Sequence, residues 1–210
     1  GWNLLVVDEN GKEVKHDMKG YLVARPPTPP GFMMTLWEDD ERFVKAYYRV
    51  LPGNYYATGD YAIKNTEGYF FVLGRADEVI KVAAHRLGTR EIEELLNSHK
   101  AVAENMVIGI ADDVKGQVPI VLVVIKQGIE WNDIVKTELR ETIRKGIGPI
   151  ATPKEILCVS RLPKTRSGKV MRRIIKSIAE GKEIGDISTI EDRTAVEEVR
   201  DAIYSVIKTD

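Results

Sequence analysis

The sequence predicts an α+β fold: a β-rich first part, then a smaller α+β domain with a mixed sheet and flanking helices. Up to residue 76, short strand-like segments are separated by Gly, Pro and Asn turns. From about Asp77, strands alternate with helical patterns over roughly a hundred residues, which is typical of a compact α+β domain. We therefore expect a first part at 1–76, a second at 77–181, and a tail with one helix at 182–210.

Five strands and one helix are expected in the first part. Residues 2–7 are strand-like, and the Asn10-Gly11 pair after them is typical of a hairpin, which predicts two short antiparallel strands. A further strand is expected in "KGYLVARP", before the proline-rich loop "PPTPPG", because proline cannot donate to a ladder. One short helix is expected between residues 36 and 53. The segments "NYYATGD" and "GYFFVLGRAD" each predict a strand followed by a turn.

The second part alternates strands and helices. "EVIKVAAHRLG" predicts a strand and turn, and a helix begins at Thr89 with Glu91 in its first turn, where a carboxylate favours the positive dipole end. "AENMVIGI" and "QVPIVLVVIK" predict two more strands, and "EILCVS" a last one. The apolar faces of two helices are expected at Ile92, Leu95, Leu96 and His99, and at Val135, Leu139 and Ile143.

Capping residues locate the remaining helix ends. Asn132 or Asp133 can cap the helix that runs to Gly146. "VMRRIIKSIAEG" predicts another helix after a basic loop. Thr194 and Glu197 fit a capping box, which predicts a final helix.

Composition restricts the class of protein. With 210 residues, 43% hydrophobic, 30% charged and a net charge of -1, the chain has the composition of an ordinary globular protein. Its longest apolar run, "VPIVLVVI", is far shorter than the roughly 20 residues of a bilayer-spanning helix, so we expect no membrane association. Near-neutral charge argues against a protein that coats nucleic acid. The single cysteine, Cys158, and the lack of a leader pattern predict a cytoplasmic location, and the non-methionine start predicts a piece of a longer protein.

The segment "LPKTRSGKVMRR" (162–173) concentrates positive charge. Seven basic side chains lie between Arg161 and Lys176. A P-loop is excluded because its first glycine would fall on Pro163, and Val170 replaces the Ser or Thr after the lysine. One interpretation is a solvated loop, or a contact for nucleic-acid phosphates. The other is a tight turn at Ser167-Gly168 that presents Lys169 to an anionic group.

Three separated motifs carry a family resemblance: "YYATGD", "GRADEVIKVAAHRLGTREIE" and "LPKTRSGKVMRR". In this order they resemble the adenylate-forming enzymes. Together with "IGPIATP" and "GDISTIED" they are similar to the AMP-forming acetyl-CoA synthetases, over essentially the whole chain. The resemblance implies ATP-dependent adenylation of acetate or another short-chain acid, followed by thioester formation with coenzyme A.

The resemblance also implies a domain arrangement. In this family a large N-terminal domain binds ATP and the acid, and a small C-terminal domain closes over it in two orientations. Residues 1–76 would be the end of the large domain, with the rest of that domain as their partner, and residues 77–181 the mobile lid. Asp77 matches the hinge position about which the small domain turns; a surface turn aspartate is the alternative.

Three residues resemble the family's nucleotide contacts. Asp60 of "YYATGD" would hold the ribose hydroxyls of ATP or AMP, which suits an ionised carboxylate that accepts two hydrogen bonds. Arg75 and Arg86 would also contact the nucleotide. The alternative for Asp60 is a turn aspartate after Gly59.

Lys169 matches the family's catalytic lysine. A fixed ammonium beside the α-phosphate stabilises the charge that builds there during adenylation, and does so more than in the ground state. An accessible lysine is also an acylation target, so lysine-modifying enzymes are possible partners at this position.

The family's coenzyme A and metal positions map to other elements. Ala83 and Ala84 lie where the pantetheine arm passes, and Ala84 replaces the usual glycine, so its methyl group is expected to hinder close approach. Arg144 falls where acetyl-CoA synthetases place an arginine near the CoA phosphates; a helix-dipole partner is the alternative. Asn97, His99 and Val102 map to a Mg²⁺ site, two of them through backbone oxygens, although His99 alone more often caps or packs.

The family's phosphate loop, its magnesium-organising glutamate and its acid pocket are expected upstream of Gly1. We therefore expect the isolated chain not to form acyl-adenylates. A stand-alone module that binds nucleic acid or CoA through residues 161–176 is the competing hypothesis, and it predicts steeply salt-sensitive binding. A ligase that loads a carrier protein is a third.

Overall fold

Two sheets organise the chain, one in each of two units. The computed structural model describes residues 1–207. The first unit is Gly1–Val79, and the second begins at Ile80. An α+β fold is confirmed, with helices confined largely to the second unit.

A four-stranded antiparallel meander forms the first unit. Its strands are β1 (Leu4–Val7), β2 (Lys19–Ala24), β3 (Tyr56–Lys64) and β4 (Phe70–Arg75). Successive side chains alternate between two apolar clusters, because neighbouring residues of a strand point to opposite faces. Leu5, Val7 and Val23 are buried in one cluster, and Val6, Leu22 and Ala62 in the other.

The first helix and the expected hairpin both begin at aspartates. Helix α1 (Asp40–Tyr47) is capped by Asp39, whose carboxylate accepts the Arg42 N–H over 3.0 Å. In the turn after β1, Asp8 Oδ1 accepts the N–H groups of Asn10 and Lys12, each over 2.9 Å. The turn forms as expected, but the chain beyond it makes only one isolated bridge to β1. β1 therefore finds its strand partner in β2.

A mixed five-stranded sheet forms the second unit, with β8 paired on both sides. Its strands are β5 (Ile80–Val82), β6 (His85–Leu87), β7 (Val102–Asp112), β8 (Gly116–Ile125) and β9 (Glu155–Cys158). β9 lies parallel to β8, and the other pairs are antiparallel.

Helices cover both faces of this sheet. They are α2 (Thr89–Asn97), α3 (Asp133–Gly146), α4 (Arg172–Ala179) and α5 (Thr194–Ile207). Val121 and Val123 of β8 pack with α2 and α3, whereas Ile120 and Leu122 pack with α4 and α5. Because both faces are covered, β8 is apolar along its length instead of alternating.

The starts of α2, at Thr89, and of α3 follow the sequence, and the start of α5 does not. Asn132 caps α3 by accepting the Val135 N–H over 3.0 Å, which selects it over Asp133. The expected capping box at Thr194 is wrong. Thr194 is instead the first residue of α5, and both its N–H and its hydroxyl donate to Asp192 Oδ1, over 2.8 and 2.7 Å. Asp192 provides the cap because it precedes the helix, where a side-chain oxygen can accept the first N–H groups that have no partner within the helix.

Helix α5 packs on the sheet. Val196, Val199 and Ile203 are buried beside the α4 residues Ile174 and Ile178. Across residues 1–207, no helix has the length and apolar character needed to cross a bilayer.

Candidate active site

Asp60 and Arg75 face each other in the first unit. They are register partners on β3 and β4, and Arg75 Nη1 donates to Asp60 Oδ1 over 3.3 Å. The same nitrogen lies 3.3 Å from the Thr58 carbonyl oxygen. The Asp60 side chain is 31% exposed, so its carboxylate is held by an arginine yet can still accept hydrogen bonds from a ligand.

Gly59 permits this approach. Its φ is +80°, a region that L side chains rarely adopt, and a Cβ at this position would lie 2.5 Å from Arg75 Nη2. The β2–β3 register shifts here, since Leu22 faces Asp60 but Val23 faces Ala57. The expected turn at Asp60 is therefore wrong: the bulge absorbs the extra residues and β3 continues through the motif.

Asp77 lies in a single 3₁₀ turn, Ala76–Glu78, after β4. Its Oδ1 is 3.6 Å from Arg75 Nε, and its side chain is 73% exposed. The boundary between the two units falls after Val79. The hinge role of Asp77 stays a prediction.

The β5–β6 turn carries the residues that the resemblance assigns to coenzyme A. Ala83 has a φ of +50°, and its N–H donates to the Lys115 carbonyl over 2.7 Å. Ala83, Ala84 and His85 are exposed, and Arg86 is partly buried. The turn thus presents small side chains and open backbone on the surface of the second unit.

Lys169 lies on a β-hairpin, directly after the tight turn that one interpretation of the sequence placed at Ser167-Gly168. Lys164 and Val170 form an antiparallel bridge, the Thr165 N–H donates to the Lys169 carbonyl over 2.9 Å, and the Gly168 N–H to the Thr165 carbonyl over 2.8 Å. The Lys169 N–H is 3.2 Å from Thr165 Oγ1. The Lys169 side chain is exposed, and no side chain within residues 1–207 pairs with its ammonium.

The basic stretch divides into paired and free cations. Arg161 pairs with Asp192, Lys164 Nζ lies 2.6 Å from Glu104 Oε1, and Arg172 pairs with Glu93. Arg173 donates to the Asp186 carbonyl over 3.3 Å. Arg166, like Lys169, is exposed at the hairpin tip. The stretch is therefore a framework of internal contacts around Arg166 and Lys169, for which residues 1–207 provide no side-chain partner, and this is unlike an open phosphate-binding stripe.

Arg144 lies in α3, and the expected metal residues lie between the end of α2 and the start of β7. Arg144, in the last turn of α3, is exposed and is 3.8 Å from Glu141 Oε1 through Nη1. Asn97 Oδ1 accepts from Asn105 Nδ2 over 2.7 Å, and the Val102 N–H donates to the His99 carbonyl over 3.1 Å.

The His99 ring is also engaged. Its Nδ1 accepts the Ala101 N–H over 3.3 Å, and its Nε2 lies 3.5 Å from Glu138 Oε2. Among the described residues, no group of three or more His, Cys, Asp or Glu side chains is placed to hold a metal. Any Mg²⁺ site here depends on backbone and amide oxygens, and it stays a prediction.

Sequence reasoning missed the partners that hold the hairpin. Glu93 and Glu104 appear as ordinary surface charges of a helix and a strand, yet they bind Arg172 and Lys164. Residues 189–191 pair with the first arm: the Arg166 N–H donates to the Thr189 carbonyl, and the Glu191 N–H to the Lys164 carbonyl. Because these contacts join positions far apart in the chain, local patterns carry no signal for them.

Comparison with known proteins agrees with this geometry. Residues 91–169 match the AMP-binding enzyme C-terminal domain. The acetyl-coenzyme A synthetase of Pyrobaculum aerophilum is 54% identical over 210 residues, which is 100% of this chain and 31% of that protein. The 3-hydroxypropionyl-coenzyme A synthetase of Sulfurisphaera tokodaii is 47% identical over 211 residues, covering 100% of this chain and 32% of that protein.

A solved structure shows the same fold. The acetoacetyl-CoA synthetase of Streptomyces lividans superposes with a TM-score of 0.82 at 21% identity, covering 100% of this chain and 31% of that one. The chain thus spans about a third of the length of the curated relatives it matches.

The second unit therefore contains the C-terminal domain found in AMP-binding, adenylate-forming enzymes. Within that class, the chain is similar over its whole length to acetyl-coenzyme A synthetases, and it corresponds to their C-terminal portion. The resemblance drawn from the three sequence motifs is confirmed.

Proposed function

We propose that the full-length protein is an AMP-forming acetate–CoA ligase. It would activate the carboxylate with ATP to give acetyl-AMP and pyrophosphate, and then transfer the acetyl group to the thiol of coenzyme A. The observation that carries the proposal is the exposed Lys169 at the hairpin tip, whose ammonium is unpaired among residues 1–207 although Lys164 and Arg172 on the two arms are paired.

Lys169 would act in adenylation. When the carboxylate oxygen attacks the α-phosphorus and pyrophosphate leaves, negative charge builds on the phosphoryl oxygens. An ammonium about 4 Å away, at an effective dielectric near 20, contributes about 4 kcal/mol. The hairpin fixes the main chain of Lys169 beforehand, so little reorganisation is needed at the moment of reaction.

Asp60 and Arg75 would hold the nucleotide. The Asp60 carboxylate accepts hydrogen bonds from the two ribose hydroxyls, and Arg75 holds that carboxylate in place. Arg86 is the third proposed nucleotide contact, and Asp77 the proposed hinge.

Coenzyme A would meet the second unit at two places. The exposed Ala83-Ala84 turn offers open backbone to the pantetheine arm, and the exposed Arg144 offers a cation to the CoA phosphates. Mg²⁺ is proposed as a cofactor of ATP use. No step is assigned to it at Asn97, His99 and Val102, because these residues include no carboxylate and the amide oxygen of Asn97 already accepts a hydrogen bond.

Acetate is the proposed acid, because the relative at 54% identity is named for acetyl-CoA, while the one at 47% is named for 3-hydroxypropionyl-CoA. We also propose a cytoplasmic location and reversible acylation of Lys169. The competing binding module finds no support in the comparisons, and four cations of its supposed surface have internal partners.

Two assays on the full-length protein test this function. ATP–pyrophosphate exchange should require a carboxylic acid, and acyl-CoA formation should be faster with acetate than with propionate or 3-hydroxypropionate. Exchange without acyl-CoA formation would contradict the ligase assignment. A preference for 3-hydroxypropionate would change the substrate and keep the reaction class.

A further inference from the structure

Two ion pairs tie the Lys169 hairpin to the rest of the second unit, one on each arm. Before the tip, Lys164 Nζ lies 2.6 Å from Glu104 Oε1 on β7. After the tip, Arg172 forms a fork with Glu93 on α2: Nη1 is 2.8 Å from Oε1, and Nη2 is 3.0 Å from Oε2. The lysine thus lies between two anchored points, five residues after one and three before the other.

The ion pair between Glu93 and Arg172 is less exposed to solvent than the one between Glu104 and Lys164. The side chains of Glu93 and Arg172 are 13% and 25% exposed, against 40% and 29% for Glu104 and Lys164. Glu93 Oε1 also accepts the Val107 N–H over 2.9 Å, and Arg172 Nη1 donates to the Val107 carbonyl over 2.9 Å. One carboxylate therefore joins α2, β7 and the first residue of α4.

The ion pair between Glu93 and Arg172 contributes more to the orientation of the hairpin than to the stability of the fold. A half-buried ion pair loses hydration that its Coulomb energy only partly returns, so an apolar contact would hold α4 against α2 equally well. A planar guanidinium that meets a carboxylate through two parallel bonds permits one geometry, whereas an apolar contact permits several. The position of the ammonium matters, because a displacement of about 1 Å can lower a rate about 100-fold.

We propose that Glu93 is a positioning residue for Lys169. Through Arg172 it fixes the second arm of the hairpin and thereby the place of the ammonium during adenylation. The inference rests on the proposed function. It goes beyond the roles that the resemblance assigns, because neither Glu93 nor Arg172 has one, and the two residues lie 79 positions apart in the chain.

The test is Glu93→Gln in the full-length protein, assayed for each half-reaction. We expect acetyl-AMP formation to slow about 10-fold, with the KM for ATP changed less than about 2-fold. Thioester formation from supplied acetyl-AMP and CoA should stay within about 2-fold, because Lys169 serves only the first step. A merely structural role would reduce the folded fraction and lower both rates by one factor, so equal losses would overturn the proposal, as would unchanged adenylation.

A matched control lies next to Glu93 on the same helix. Glu94 pairs with Arg90 within α2, over 3.1 Å, and both side chains are exposed. Glu94→Gln should leave both half-reactions unchanged. Glu104→Gln, at the more exposed anchor, should slow adenylation by a smaller factor than Glu93→Gln.

A double variant tests the pair itself. Glu93→Gln with Arg172→Gln leaves two amides that can bond each other and no unpaired guanidinium, so its adenylation rate should exceed the product of the two single effects. Multiplicative losses would overturn the role of the pair. If the unmodified full-length protein forms neither acetyl-AMP nor acetyl-CoA, the proposed function itself fails. An active protein indifferent to Glu93→Gln would overturn only the positioning role.

Discussion

Asp60 and Arg75 are opposed across β3 and β4, with 3.3 Å between the carboxylate and the guanidinium. The Arg75 guanidinium lies close to the backbone of Gly59, where a Cβ atom would collide with it. A carboxylate and a cation are therefore presented together on a rigid sheet, which is a suitable support for the ribose and phosphate of a nucleotide.

Asp60→Asn should weaken nucleotide binding. The amide keeps one acceptor oxygen but loses the charge, and a hydrogen bond to a charged group contributes about 1.5–3 kcal/mol. We expect the KM for ATP to rise about 10-fold or more, with a smaller change in kcat, measured by pyrophosphate exchange in the full-length enzyme. Glu67→Gln, in the exposed β3–β4 turn, is the control. An unchanged KM would remove Asp60 from the nucleotide site.

Lys169→Ala should slow adenylation by about 10²- to 10³-fold, because the ammonium no longer stabilises charge at the α-phosphate. Thioester formation from supplied acetyl-AMP should be spared, and single-turnover measurement of each step separates the two. The control is Arg166→Ala, which removes the other exposed cation of the hairpin tip and should leave adenylation within about 3-fold. Equal loss in both half-reactions would contradict the assignment.

Ala84→Gly should lower the KM for coenzyme A. The exposed methyl group is removed from the turn that is proposed to meet the pantetheine arm, and glycine permits closer approach of the backbone. We expect the KM for CoA to fall several-fold, roughly the effect of about 1 kcal/mol, with acetyl-AMP formation unchanged as the internal control. A higher KM would place the pantetheine arm elsewhere.

Asp192→Asn should change how α5 responds to acid. The hydrogen bonds from the Thr194 hydroxyl and N–H, together with Arg161, hold the pKa of the Asp192 carboxyl below its usual 3.8. Because the folded pKa is the lower one, the carboxylate stabilises the folded state above about pH 4, and this contribution is lost as the pH falls through the folded pKa.

The measurement is the hydrogen-exchange protection of the first α5 amides, corrected for the intrinsic rate at each pH. Protection should be higher in the wild type than in Asp192→Asn at pH 7, and the difference should shrink as the pH falls through the folded pKa of Asp192. Asp201→Asn, exposed further along α5, should leave the protection of these amides unchanged across the same range. A difference that persists in acid would exclude the ionised carboxylate as its cause.

Much of the second unit could be predicted from local patterns. The segment "QVPIVLVVIK" predicted a strand, and β8 forms there, buried between two helix pairs. The Lys169 motif, read through its family resemblance, identified an exposed lysine at a tight turn. The fork between Glu93 and Arg172 could not be predicted, because pairing across 79 positions depends on how α4 is placed against α2.

Two local predictions failed for physical reasons that the structure makes plain. Asp60 was expected in a turn because Gly59 precedes it, but the positive φ of Gly59 serves a bulge within β3. Thr194 was expected to cap α5, but Asp192 provides the acceptor two residues earlier. In both cases the residue type indicated a special backbone conformation, and the contact with a partner residue determined which conformation formed.

The strand-like contacts of residues 189–191 make the segment between α4 and α5 a structural part of the hairpin that presents Lys169. They back the first arm of the hairpin, with Thr165 bridged to Ile190. A deletion that begins before Thr189 would remove this support while leaving residues 164–170 in place. The segment between α4 and α5 is therefore needed for the shape of the hairpin and is more than a connection between two helices.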